Sequence, residues 1–362
     1  MLNDGKRDVF VEDIRKSQDR DRRNHMQRLE RTFVELSVAR NRAYKIDWSI
    51  DPPRPAPDFI GVKVLKDFPL ELLVPFIDWT PFFMAWELSG KYPAILQDQI
   101  VGTEAKRLHS DAISLLDQII QKKALTARGV YGFFPACSIG DDLVLYSDSS
   151  RKIELGRFFM LREQWERKAE TGTAVFRSLS DYIAPEGLGF HDHIGAFAVT
   201  AGEGADKLDA DFRANLDDYQ GIMAKALADR LAEAFAEYLH QLVRNQWYSN
   251  DIGKVSKEDL IRERYEGIRP AAGYPSCPDH TEKKTLWRIL DVEKNTGMRL
   301  TGGYSMIPAA SVSGLYFGHP KAKYFAIDLV TRDQIHDYAQ RKKMDVQEVE
   351  RWLQSHLAYD PV

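Results

Sequence analysis

At 362 residues the chain has room for one large domain or two ordinary ones. Hydrophobic residues at 44% and charged residues at 29% give a globular profile, and no apolar run approaches the roughly 18 residues that span a bilayer. A formal net charge of −4 gives nucleic-acid binding no support, and the two cysteines, Cys137 and Cys277, fit a reducing compartment rather than a disulfide framework.

The N-terminus is charged from Asn3 onward and carries no apolar signal segment, so a cytoplasmic location is expected. Between Lys6 and Lys45 there are twelve Lys/Arg against seven Asp/Glu. Residues from Asp8 to about Tyr44 read as one helix, with Met26, Leu29, Phe33 and Leu36 spaced three and four apart. Such a polar helix is expected to be a linker that docks outside this chain, or a solvated face. Asp51-Pro-Pro-Arg-Pro-Ala-Pro57 is a semi-rigid hinge. The expected division is therefore a linker and hinge over 1–58 and a folded domain over 59–362.

Phe59 to Leu65 alternates like a strand. Thr80-Pro81 opens a helix, with a hydroxyl able to cap and proline suited to the first turn. Thr103 to Lys123 is a helix. Val130 to Ile139 and Leu143 to Tyr146 pair through a turn at Gly140-Asp141-Asp142. Strands are expected at Ile153–Leu161 and Ile194–Thr200. Phe212 to about Trp247 is the dominant helix, followed by helices over Lys257–Gly267 and Thr281–Leu290. Strands near Ser311–Phe317 and Tyr324–Leu329 precede helices near Arg332–Lys343 and Val346–His356. Strands and helices do not alternate regularly, which argues against a doubly wound parallel sheet. The expected class is α+β: a largely antiparallel sheet with helices packed around its ends.

Arg269-Pro-Ala-Ala-Gly-Tyr-Pro-Ser-Cys-Pro-Asp-His-Thr-Glu-Lys283 carries the most chemistry. Its prolines fix φ and remove donors, and Gly273 permits positive φ. The result is a stiff arch presenting a guanidinium and a phenol ring. A small ligand with a carboxylate at one end and an aromatic ring at the other suits that pair.

This arch resembles the S-adenosylmethionine-binding signature in the C-terminal reactivation module of cobalamin-dependent methionine synthase. Further segments resemble the same module in the same order. These are Asp78-Trp-Thr-Pro-Phe-Phe83, Gly90-Lys-Tyr-Pro93, Phe134-Pro135 to Asp142, Ala226 to Glu237, Ser311 to Gly314, and His319-Pro320 to Tyr324-Phe325. The resemblance runs from about Ile60 to the C-terminus. It implies S-adenosylmethionine contacts at Asp78, Glu233, Glu263, Arg269, Gly273, Tyr274, Ser276, Tyr324 and Phe325. Arg269 would take the ligand carboxylate and Asp78 its ammonium. Glu233 is carried over but its helical neighbour Glu237 is not. Ser276 corresponds to a backbone contact, so its side chain is expected to matter little. Phe325 replaces a tyrosine usual in the family.

No catalytic base and no metal site are expected. His191-Asp192-His193 lacks a second ligand pair, and Cys277 with His280 has no CxxC partner. Gly187-Leu-Gly189 and Gly202-Glu-Gly204 do not follow a strand into a helix as a dinucleotide loop does. The resemblance further implies cobalamin supplied by another domain or subunit, and a flavodoxin-type electron donor. No Asp-x-His-x-x-Gly cobalamin motif occurs, so the chain is expected to be a fragment of a synthase or a stand-alone module. The alternatives are a binding-only S-adenosylmethionine sensor and a reactivator of another corrinoid methyltransferase.

Overall fold

A computed structural model of the chain describes residues 4–29, 31–166, 174–249 and 264–361, together with 255, 259 and 262. Its strands are β1 (Gly61–Phe68), β2 (Thr126–Ile139), β3 (Asp142–Tyr146), β4 (Glu154–Phe159), β5 (Asp192–Glu203), β6 (Arg299–Leu300), β7 (Met306–Ile307) and β8 (Ser311–Tyr316). The helices are α1 (Asp4–Leu29), α2 (Leu36–Asn41), α3 (Thr80–Ala85), α4 (Gly102–Gln121), α5 (Ala205–Ala214), α6 (Asp218–Trp247), α7 (Lys283–Leu290), α8 (Val292–Thr296), α9 (Arg332–Lys342) and α10 (Val346–Trp352).

β2 and β5 are the spine. The main sheet runs β4-β3-β2-β5-β8, with β1 also paired to β2, and each of these pairs is antiparallel. One long strand serves two partners on the same edge. Residues 127–133 of β2 face β1 and residues 136–139 face β3. Pro135, which has no N–H to give, lies at that junction. Successive residues of β2 and β5 point to opposite faces. Tyr131, Phe133, Phe197 and Val199 join the core beneath α4 and α6, while Val130, Phe134, Ile194 and Ala196 join the core shared with α7. The α+β, non-Rossmann expectation holds, with helices packed against both faces of the antiparallel sheet.

Several boundaries differ from the sequence reading, each for a local reason. The long helix does not start at Phe212. Leu216 takes a left-handed φ of +61°, and the Asp217 carboxylate then caps α6 by accepting from the Gln220 N–H at 3.0 Å. The Asp8–Tyr44 helix is two helices. Between them Val34 donates its N–H to the Gln164 carbonyl at 2.9 Å, and Thr32 accepts from Glu166, so the chain is extended there. Thr80 does not cap α3; the Asp78 carboxylate accepts its N–H at 2.9 Å instead. Residues 324–329 form no strand. They run extended over the arch, with the Ile327 N–H donating to the Pro275 carbonyl at 2.7 Å. The helix expected over Lys257–Gly267 lies largely outside the described residues.

Residues 31–58 are fastened to the rest by polar contacts. Arg40 pairs with Asp141 at 2.8 Å and Asp337 at 2.7 Å, and Arg31 pairs with Asp328. Trp48 packs edge-on against His319 at 5.0 Å. Among α1 side chains from 10 to 22, by contrast, almost all are exposed.

Candidate functional site

The arch is built as a series of short hydrogen bonds. Ile268 and Phe317 exchange N–H···O bonds at 3.1 and 3.0 Å, which extends the sheet edge beyond β8. The Pro270 carbonyl then accepts from the Leu315 N–H at 2.9 Å. That approach needs Gly314, since a Cβ there would lie 2.7 Å from the same carbonyl oxygen. The chain reverses at Gly273, whose φ is +93° and whose N–H reaches the Cys277 carbonyl at 2.8 Å. A Cβ on Gly273 would meet the His280 imidazole at 2.1 Å.

The second half of the motif is structural. Asp279 caps the turn at residues 280–282, accepting from the Thr281 N–H at 2.8 Å. Its other oxygen takes Lys342 Nζ at 2.7 Å and the Tyr338 hydroxyl at 2.8 Å. Glu282 takes the same Lys342 at 2.6 Å and the Phe159 N–H at 3.0 Å. Burial works against the charges of Lys342 and Asp279, and their mutual attraction outweighs it, raising one pKa and lowering the other. Thus α9 is bolted to the end of the arch by a buried ion cluster.

In front of the arch lies a cavity of about 510 Å³, a size suited to a small organic ligand. Its walls come from α6 (Glu233), the arch (Arg269 to Ser276), the start of α7 (His280, Lys283), Met306, β8 (Ser311 to Ser313), and Tyr324 with Phe325. Most of the expected contact residues meet here: Glu233, Arg269, Tyr274, Ser276, Tyr324 and Phe325 line it, with Gly273 inside the arch. Asp78 is half-buried and is not among the lining residues. Glu263 lies outside the described residues.

The polar groups differ in how they are engaged. The Arg269 side chain is only 12% exposed and one nitrogen, Nη2, is paired with Glu237. Burial opposes its charge, and Glu237 more than compensates, so its pKa is raised. Nη1 has no hydrogen-bond partner among the described residues. The Arg269 backbone N–H is taken by the Tyr324 hydroxyl at 3.0 Å. Glu233, half-buried one turn before Glu237, makes no ion pair or hydrogen bond among the described residues. Lys283 Nζ donates to His280 Nδ1 at 2.8 Å and to the Tyr304 carbonyl at 3.1 Å, which places the imidazole proton on Nε2. Burial lowers the pKa of both groups.

Two side chains make bonds that the sequence does not indicate. Ser276 does more than offer backbone: its hydroxyl donates to the Phe325 carbonyl and accepts the Phe325 N–H at 3.3 Å, tying the 324–329 segment across the arch. Glu237, set aside in the sequence, is the partner of Arg269. Its spacing of four from Glu233 on a buried helix face was the available signal, since a buried guanidinium requires a carboxylate nearby. The sequence gives Lys283 no role and weighs His280 only as a metal ligand beside Cys277, and nothing in their spacing indicates that both line the cavity. Asp192 accepts the Ala184 and His193 N–H groups at 2.9 and 2.8 Å, which accounts for that residue as a turn lock.

Residues 69–343 match the family described as vitamin B12 dependent methionine synthase, activation domain. A crystal structure of the MetH reactivation domain bound to AdoHcy is 50% identical to this chain, with a TM-score of 0.86, over 91% of this chain and 99% of that one. On the family match over most of its length and on this fold, the chain belongs to the activation-domain family of vitamin B12 dependent methionine synthase.

Proposed function

We propose that the chain binds S-adenosylmethionine in the arch cavity and presents its methyl for reductive methylation of oxidised cobalamin, so that methionine synthase regains activity. One observation carries this reading. A buried guanidinium and a half-buried carboxylate face one cavity of nucleoside size, and among the described residues neither one guanidinium nitrogen nor the carboxylate has a partner. That is the charge pattern of an amino-acid headgroup, carboxylate to Arg269 and cationic groups to Glu233.

The bound ligand supplies a methyl on a sulfonium that already leaves readily. The residues of this chain then have little chemistry to perform. Arg269 and Glu233 fix the headgroup, the exposed rings of Tyr274 and Tyr324 flank the cavity mouth, and the Ser276–Phe325 tie keeps its roof in place. Positioning is the whole contribution, and no general base is required. Ligand contacts at Asp78 and Glu263 are supported by the resemblance of their sequence segments to the family. Cobalamin is held by another domain, in cis or in trans, and a flavodoxin-type protein supplies one electron per methylation.

Calorimetry on the chain tests the binding step. Wild type is expected to bind S-adenosylmethionine, and Arg269→Ala is expected to bind it more weakly by about 1.5–3 kcal/mol, tenfold to a hundredfold in Kd. An unchanged Kd removes Arg269 from the site. Adding cob(II)alamin-loaded partner domain and a reductant then separates two classes of function. Methylcobalamin formation marks a reactivation domain, and tight binding without methylation marks a sensor.

A further inference from the structure

We propose that Glu237 is a positioning residue for ligand recognition, one that holds Arg269 by Nη2 and leaves Nη1 as the donor for the ligand carboxylate. The inference rests on the S-adenosylmethionine reading of the cavity and deepens it. Four observations on α6 and its neighbours support it.

Glu237 sits one turn beyond Glu233, so the cavity carboxylate and the arginine's partner share one helix face. Both side chains of the pair are largely shielded, at 12% and 16% exposure, where an ion pair is geometrically restrictive rather than loose. The arginine has few alternatives. Its backbone N–H is already taken by Tyr324, and no other carboxylate pairs with it among the described residues. The layer behind the pair cannot substitute for Glu237 electrostatically. His240, the next residue on that face, is fully buried, stacks on Tyr316 at 5.1 Å, and is kept neutral by burial and by Arg269 and Arg244. Among the described residues Arg269 is thus gripped at Nη2 by Glu237 alone, and that grip sets which edge of the planar fork is available.

A purely structural ion pair and a positioning pair predict different results. If Glu237 only balances a buried charge, removing it weakens the fold and lowers affinity for every ligand of the cavity alike. If it aims Arg269, the loss falls on ligands that carry a carboxylate. The test compares S-adenosylmethionine with decarboxylated S-adenosylmethionine, which keeps the sulfonium, ammonium and nucleoside. Calorimetry is run on wild type, Glu237→Gln, Glu237→Asp and Arg269→Ala, with thermal unfolding of each.

Glu237→Gln is expected to weaken S-adenosylmethionine about tenfold and to move the decarboxylated ligand less than about twofold. Glu237→Asp keeps the charge and shortens the reach; it is expected to fall between, which guards against a glutamine variant that unfolds. Equal losses for both ligands, or no loss for either while Arg269→Ala remains carboxylate-selective, overturn the role given to Glu237. A wild-type chain that binds neither ligand, or an Arg269→Ala variant that loses no carboxylate preference, overturns the cavity reading itself and this inference with it.

Discussion

Lys342→Met is expected to lower the free energy of unfolding by about 3–5 kcal/mol, because it removes one member of a buried ion cluster and leaves the others in place. Lys342, Asp279 and Glu282 are 7%, 4% and 3% exposed, so water cannot replace the lost ammonium. Methionine preserves most of the volume, so the loss is electrostatic rather than a cavity effect. Urea denaturation of the single variant and of Lys342→Met combined with Asp279→Asn and Glu282→Gln separates the two. The triple variant should recover much of the loss, since its carboxamides no longer carry unpaired charge. A single variant within about 1 kcal/mol of wild type contradicts the cluster's role.

Gly273→Ala is expected to cost about 2–4 kcal/mol, divided between stability and ligand affinity, from a left-handed φ together with steric overlap. At φ +93° the alanine is strained wherever its methyl points, and here the methyl meets the His280 ring. The imidazole is held by Lys283 and cannot move without breaking that bond. Gly187→Ala is the control. Its φ is +86° and a Cβ there meets nothing within 4 Å, so it reports strain without the clash and should cost only about 1 kcal/mol. Thermal unfolding and S-adenosylmethionine titration of both variants give the comparison. Equal effects in the two would mean that the His280 contact is unimportant.

How much of this was legible beforehand depends on the range of the interaction. Turn chemistry is local, so the β2–β3 hairpin at Gly140 and the stiff reversal at Gly273 could be read directly. A buried apolar run placed the centre of β5, which extends two to three residues further at each end, and the helical pattern placed α4 within two residues at each end. Contacts between distant segments could not be read. Nothing near Asp279 or Glu282 announces that Lys342 will bury itself between them. Nothing at Phe33 says that pairing with residues near Trp165 will end a helix. The start of α6 turned on a single exposed leucine in left-handed geometry, a conformation that leucine itself does not signal.

The site follows the same division. Arg269, Glu233 and the aromatic pair were found because they lie in recognisable segments, and they do share a cavity. Glu237 does not stand out in the sequence because its partner, Arg269, lies 32 residues away. Ser276 was undervalued because its hydroxyl acts on Phe325, 49 residues on.

The most direct measurement is a crystal structure of this chain with S-adenosylmethionine. The account predicts the nucleoside seated in front of Arg269–Ser276, with the ligand carboxylate within hydrogen-bond reach of Arg269 Nη1 and its cationic end toward Glu233. Density for the ligand elsewhere, such as the separate cavity between Tyr44, Trp48 and Asp181, with Arg269 still bonded to Glu237 alone, would contradict it.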